Sequence, residues 1–125
     1  MPNQQKITVG AVVAEFLEHC GVKAAFGVIS IHNMPILDAM FARGKVRFVM
    51  ARGEAGAGNM ADACARSTSS LGVCITSTGP ASGNIAGSLV EAYTAGTPLL
   101  HITGQIETQY LDQKLSYIHE APDQL

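Results

Sequence analysis

Apolar positions recur along this chain in two alternating rhythms. Val13, Phe16, Leu17 and Cys20 fall at i, i+3, i+4 and i+7, one stripe of a helix, with Thr8 placed to cap its start and Gly21 to stop it. The apolar run from Val22 to Val28 predicts a short strand. A second helix is predicted from Met34 to Arg43, with Asn33 as its cap, Pro35 tolerated in its first turn, and Ile36, Leu37, Met40 and Phe41 as its buried face. Val46, Phe48, Val49 and Met50 predict a buried strand that passes through Arg52 and Gly53 into an alanine-rich helix opening on Glu54.

Gly72 to Thr76 predicts a further strand, followed by the loop Ser77-Thr78-Gly79-Pro80-Ala81-Ser82-Gly83-Asn84. The next helix carries Ile85, Leu89 and Tyr93 on one side and stops at Ala95-Gly96-Thr97-Pro98. A last strand, Leu99 to Thr103, ends in Gly104-Gln105. Ile106 to Leu125 is polar and weakly periodic, so loop is expected there, with a short helix near Leu111. Helices and strands that alternate through short connections imply right-handed crossovers, hence a three-layer α/β/α domain around a mainly parallel sheet. Four loops then share one edge: Ile29–Asn33, Arg52–Glu54, Ser77–Asn84 and Gly104–Glu107. In open α/β sheets that edge is where ligands bind.

The helix after Glu54 is built from unusually small residues, among them Ala55, Gly56, Ala57, Gly58, Ala61, Ala63 and Ala65. Glycine inside a helix costs about 0.5–1 kcal/mol relative to alanine, so something must come close. Two readings stand side by side. Small residues let a neighbouring helix or a second subunit approach, with Glu54 merely complementing the helix dipole. Alternatively, Glu54 is a working acid/base group where a cofactor docks against glycine. A dinucleotide site is rejected: Gly53, Gly56 and Gly58 run GxxGxG rather than GxGxxG, and Leu71-Gly72-Val73-Cys74 stands where an acidic residue for a ribose hydroxyl is expected.

At 125 residues the chain is one domain's worth. Eight Lys and Arg against ten Asp and Glu, a net charge of −2 and no basic run give no footprint for nucleic acid or an anionic membrane surface. Cys20, Cys64 and Cys74 lie in apolar segments without CxxC spacing, and are expected as small buried hydrophobes in a reducing compartment, with no disulfide and no metal site. MPNQQKITVG lacks a charged start followed by an apolar core, so a secretion signal is not expected in it, and no apolar run approaches the roughly 18 residues that cross a bilayer. A cytoplasmic location is expected.

Taken together, AAFGVISIHNMPILDAM, ARGEAGAGNMADACAR, TSTGPASGNIAGSLVEAYTAGTPLLHITGQ and YIHEAPDQ resemble, in order and spacing, the N-terminal pyrimidine-binding domain of thiamine diphosphate enzymes. The subgroup it most resembles is the acetolactate synthase, benzoylformate decarboxylase and related 2-keto acid type. The resemblance implies that residues 1–125 form a single pyrimidine-binding domain, incomplete at its C-terminal end. It implies that Glu54 bonds N1′ of the cofactor's aminopyrimidine, sharing a proton that favours the imino tautomer needed to deprotonate the thiazolium, which serves as electron sink for a 2-keto acid. Ile29 and Ser30 match the loop along the ring, Ser77 begins the loop on its other side, and Asn84 matches that loop's terminal asparagine. Ser77 as a turn residue and Asn84 as a helix cap remain open. Gln105 and His119 match positions facing the substrate.

Two departures bear on the substrate. Most relatives have Pro-Gly where this chain has Ile29-Ser30-Ile31-His32, and Gly-Pro-Gly where it has Gly79-Pro80-Ala81. His32 is either an added acid/base group beside the keto acid or an ordinary loop residue. The Gly-Asp-Gly and asparagine motif that holds Mg²⁺ and the diphosphate is absent from this sequence, so the resemblance implies a separate diphosphate-binding domain or subunit. The isolated chain is expected to be inactive and to assemble as a dimer or tetramer. The competing reading is a non-catalytic assembly or regulatory module that keeps the fold.

Overall fold

The computed structural model describes residues 7–115, 117–121 and 124. Helix α1 (Val9–His19) begins where Thr8 Oγ1 accepts from the Ala11 amide at 3.2 Å. It ends with Gly21 at φ +75°, while the Val22 amide reaches back to the Leu17 carbonyl and the Gly21 amide to that of Glu18. That pair of bonds is a Schellman closure. Strand β1 (Ala24–Gly27) follows, shorter than the apolar run suggested, then α2 (Met34–Arg43), β2 (Arg47–Met50), α3 (Glu54–Thr68) and β3 (Gly72–Ile75). The expected loop from Ser77 to Asn84 contains a five-residue helix, α4 (Pro80–Asn84), which runs into α5 (Ala86–Thr94) before β4 (Leu99–Ile102). The short helix expected near Leu111 is a 3-10 turn at Thr108–Tyr110.

The sheet is four-stranded and parallel throughout, in the order β2-β1-β3-β4. Side chains alternate across it as the pleat requires. Ala25, Val73 and Ile75 face α1 and α2 with Leu17 and Met40, whereas Cys74 faces Ala57 and Ala61 of α3 and Ile85. The fold is therefore a three-layer α/β/α domain. From β1 the chain steps outward to β2 through α2 on one face, then back across β1 to β3 through α3 on the other. The loops leaving β1 and β3 diverge to opposite faces and leave a crevice between them, the position at which such sheets bind ligands.

Several expected faces are corrected. Phe41 is 88 % exposed because α2 buries Met40 with Ile36 and Leu37, leaving Phe41 one helical step past the sheet. Tyr93 is also 88 % exposed, and α5 turns Ser88 and Ala92 inward instead, since α3 comes too close there for larger groups. Phe16 is likewise exposed, beside an inner stripe of Gly10, Ala14 and Leu17. Of the cysteines, Cys74 alone is fully buried, while Cys64 is half-buried and Cys20 exposed at the end of α1. Among the described residues no helix is long and apolar enough to cross a membrane.

Candidate functional site

Glu54 sits at a turn that backbone pairing holds in place. The Ala51 amide donates to the Gly27 carbonyl at 2.8 Å, so pairing to β1 continues one residue past β2. Gly53 is extended at φ −169°, ψ 162°, and offers α3 no side-chain cap, which leaves Glu54 as the acidic residue of the first turn. The carboxylate is half-buried in this chain rather than enclosed. Asn84 donates from Nδ2 to Glu54 Oε2 at 3.2 Å, so Asn84 meets the glutamate instead of capping a helix. Ser88 Oγ also donates to the Ala55 carbonyl at 2.9 Å, fastening the first turn of α3 to α5.

The glycines of α3 divide between the two explanations. A side chain at Gly58 would meet Ser88 Cβ at 2.6 Å and Ile85 Cγ1 at 2.8 Å, so this glycine, with Ala57, Ala61 and Ala65, serves helix packing. Gly53, Gly56, Gly83 and Gly87 have open space beyond them, and packing among the described residues gives no reason for them. Glu54 and Asn84 stand among these bare positions. Beneath them burial, reinforced by the Glu54 charge, pushes the Cys74 thiol up to about 12.

A second group gathers on neighbouring loops. Asn33 is buried, and its side chain does not cap α2: Oδ1 accepts from the Ser30 amide and Nδ2 donates to the Val28 carbonyl, each at 2.9 Å. These bonds pin the loop that carries Ile29, Ser30 and His32. Ser30 Oγ is buried without a hydrogen-bond partner among the described residues. His32 packs its Cβ over Gly104, where a side chain would collide with it. The Ser77 carbonyl accepts from Thr103 Oγ1 at 2.6 Å and from Thr76 Oγ1 at 3.2 Å. Thr78 Oγ1 lies 3.5 Å from Gln105 Oε1 and 3.4 Å from the His119 carbonyl, so one hydroxyl proton serves either. His119 is exposed, in a left-handed conformation at φ +65°.

The structure thus joins Glu54 to Asn84, and brings His32, Gln105 and the His119 backbone together around Thr78 and Gly104. Ile29, with Leu37 and Phe41, lines two adjoining apolar grooves of about 560 and 620 Å³ along α2. The sequence reading missed Thr76, whose Oγ1 shares a 2.7 Å hydrogen bond with His101 Nε2, and Gln124, which bonds both Gly79 and Gly104. No local pattern marks such long-range partners. Among the described residues no group of three or more His, Cys, Asp or Glu could hold a metal ion.

Residues 7–125 match the family described as thiamine pyrophosphate enzyme, N-terminal TPP binding domain. The chain is 34% identical over 124 residues to a protein of Pseudomonas aeruginosa described as a probable 2-ketoarginine decarboxylase, covering 99% of this chain and 22% of that protein. It is 33% identical over 102 residues to an acetolactate synthase of Mycobacterium avium, covering 82% of this chain and 16% of the relative. An acetolactate synthase of Arthrospira platensis is 34% identical over 105 residues, with 82% of this chain and 18% of the relative covered. The chain therefore spans about a fifth of the length of these relatives. With its parallel three-layer fold and Glu54 at the turn into α3, the chain belongs to the thiamine pyrophosphate enzyme family, as an N-terminal TPP-binding domain.

Proposed function

We propose that this chain supplies the pyrimidine-holding half of a thiamine diphosphate site in an enzyme acting on a 2-keto acid. The observation that carries the reading is the Glu54 carboxylate, held through Oε2 by Asn84 at the rim of a crevice edged with glycines that face open space. The residues suit that cofactor. A carboxyl can share a proton with a ring nitrogen, bare glycines admit a flat ring, and the Ser30 hydroxyl, without a partner among the described residues, can bond a polar edge. In this reading Ile29, Ser30, Ser77 and Asn84 bound the ring, Glu54 holds the proton at its nitrogen, and His32, Gln105 and His119 lie toward the substrate.

When bound, thiamine diphosphate supplies an electron sink for cleavage beside a carbonyl. The keto-acid reading draws support from the similarity to the protein described as a probable 2-ketoarginine decarboxylase. A separate domain or subunit supplies the contacts to the diphosphate and to Mg²⁺. Assembly into a dimer or tetramer is part of the same reading, through the exposed Ala55, Gly56, Asn59 and Ala63 of α3, and would bury Glu54 more fully.

The test is to titrate thiamine diphosphate and Mg²⁺ into the protein assembled with its diphosphate-binding half, comparing Glu54→Gln and Glu54→Ala with wild type, and to assay 2-keto acids for decarboxylation and ligation. Retained binding with lost turnover in Glu54→Gln supports the proposal. Turnover by the 125-residue chain alone would overturn the requirement for a second half, and wild-type turnover in Glu54→Ala would overturn the role of Glu54.

A further inference from the structure

The side chain of Gln124 spans two loops at the carboxyl edge of the sheet. Its Oε1 accepts from the Gly79 amide at 2.8 Å, and its Nε2 donates to the Gly104 carbonyl at 3.0 Å. A backbone amide can only donate and a carbonyl only accept, so both partners fix the same orientation of the glutamine. Gly79 is the pivot of its loop, at φ +57° and ψ −116°, a region natural to glycine alone. A Cβ there would also strike the backbone of His119, so the tail packs directly on the loop. From Gly79 the chain enters α4, whose last residue, Asn84, bonds Glu54.

These contacts form one path of hydrogen bonds and a single short helix from the tail to the glutamate. We infer that Gln124 is a positioning residue: by bridging Gly79 and Gly104 it sets the placement of α4, and through the Asn84 amide the orientation of the Glu54 carboxyl. The inference rests on the role proposed above for Glu54. Gln124→Ala removes both bonds. Gln124→Glu keeps an acceptor for the Gly79 amide but sets a carboxylate oxygen against the Gly104 carbonyl, a clash that protonation turns back into a donated bond.

The test uses NMR of the labelled 125-residue chain, with wild type measured at each pH as reference. In Gln124→Ala, exchange at the Gly79 amide should rise about tenfold, as loss of one hydrogen bond of ordinary net strength implies. The Asn84 side-chain amide signals should move toward those seen in Glu54→Ala. Gln124→Glu should shift them the same way near neutral pH and return toward wild type once its carboxyl is protonated. Asn84 signals that stay put in both variants, or a Gln124→Glu shift indifferent to pH, would overturn the inference. Should Gln124→Ala fail to fold, the pH response of the near-isosteric Gln124→Glu decides alone. No cofactor is added, so a failure of the thiamine reading leaves these signals as they are, and only lost coupling to Asn84 counts against Gln124.

Discussion

Asn84 Nδ2 and Glu54 Oε2 stand 3.2 Å apart, tying the last residue of α4 to the first of α3. If the carboxyl works on a bound ring, Glu54→Gln in the assembled protein should keep the fold and much of the cofactor binding, yet slow exchange of the cofactor's C2 proton by about 10²–10⁴-fold. As a mere first-turn charge, Glu54 contributes only about 0.3–1 kcal/mol to stability. Deuterium exchange at C2 followed by NMR separates the two, and equal rates in wild type and variant would remove Glu54 from the chemistry.

Gly56 and Gly58 lie two residues apart on one helix and should respond oppositely to a methyl group. Gly58→Ala forces Ser88 and Ile85 aside and should destabilise the chain by about 1–3 kcal/mol. Gly56→Ala meets open space and should stabilise it by about 0.5–1 kcal/mol, through better helix propensity. Urea denaturation of the two variants reads both signs. Destabilisation by Gly56→Ala in the isolated chain would mean that the outer face of α3 is already occupied.

The alternation of periods makes the layers legible in the sequence alone, because side chains repeat every 3.6 residues on a helix and every two on a strand. The Thr8 cap and the Gly21 stop were equally plain, being local. Phe41 and Tyr93 misled, since a continued apolar stripe does not reveal which step of the helix passes beyond the sheet. Glu54 and Asn84 could be named singly, yet 30 positions of chain separate them and only the fold shows that they touch. Asn33 carries the same lesson: its residue type suggested a cap, while its buried amide found two backbone partners in the preceding loop.

The thiols should separate sharply by reactivity. Cys20 is exposed, whereas Cys74 has no accessible surface and its ionisation is pushed up to about 12. The thiolate is the reactive form. A colorimetric thiol reagent near neutral pH should modify Cys20 first and Cys74 only at the rate of global unfolding. Rapid modification of Cys74 in the native chain would contradict the close packing of Ala57, Ala61 and Ile85 around it.

Stability should fall in mild acid because of His101. Its partial burial on β4 holds its ionisation below the ordinary value, so as pH drops from about 6.5 the unfolded chain takes up a proton that the folded chain resists. The carboxylates of Asp62 and Glu18, held low by Arg66 and Arg43, oppose unfolding until the pH falls below the usual carboxylate range, so they do not blur this window. The urea midpoint should therefore decrease between about pH 7.5 and pH 5.5, and His101→Gln should flatten that slope. An unchanged slope in His101→Gln would place the titrating group elsewhere.

The two borders of the sheet are unlike. Beside β2, Lys45 and Arg47 put exposed cations along the outermost strand, the usual guard against a stray strand docking there. The other border, β4, reads Leu-Leu-His-Ile without a single charge and is half-buried at every residue. Expressed by itself, the chain should lose solubility from that side, as backbone amides of Leu99–Ile102 seek partners in other copies. A lysine substituted on β4 should recover soluble yield more effectively than one on β2.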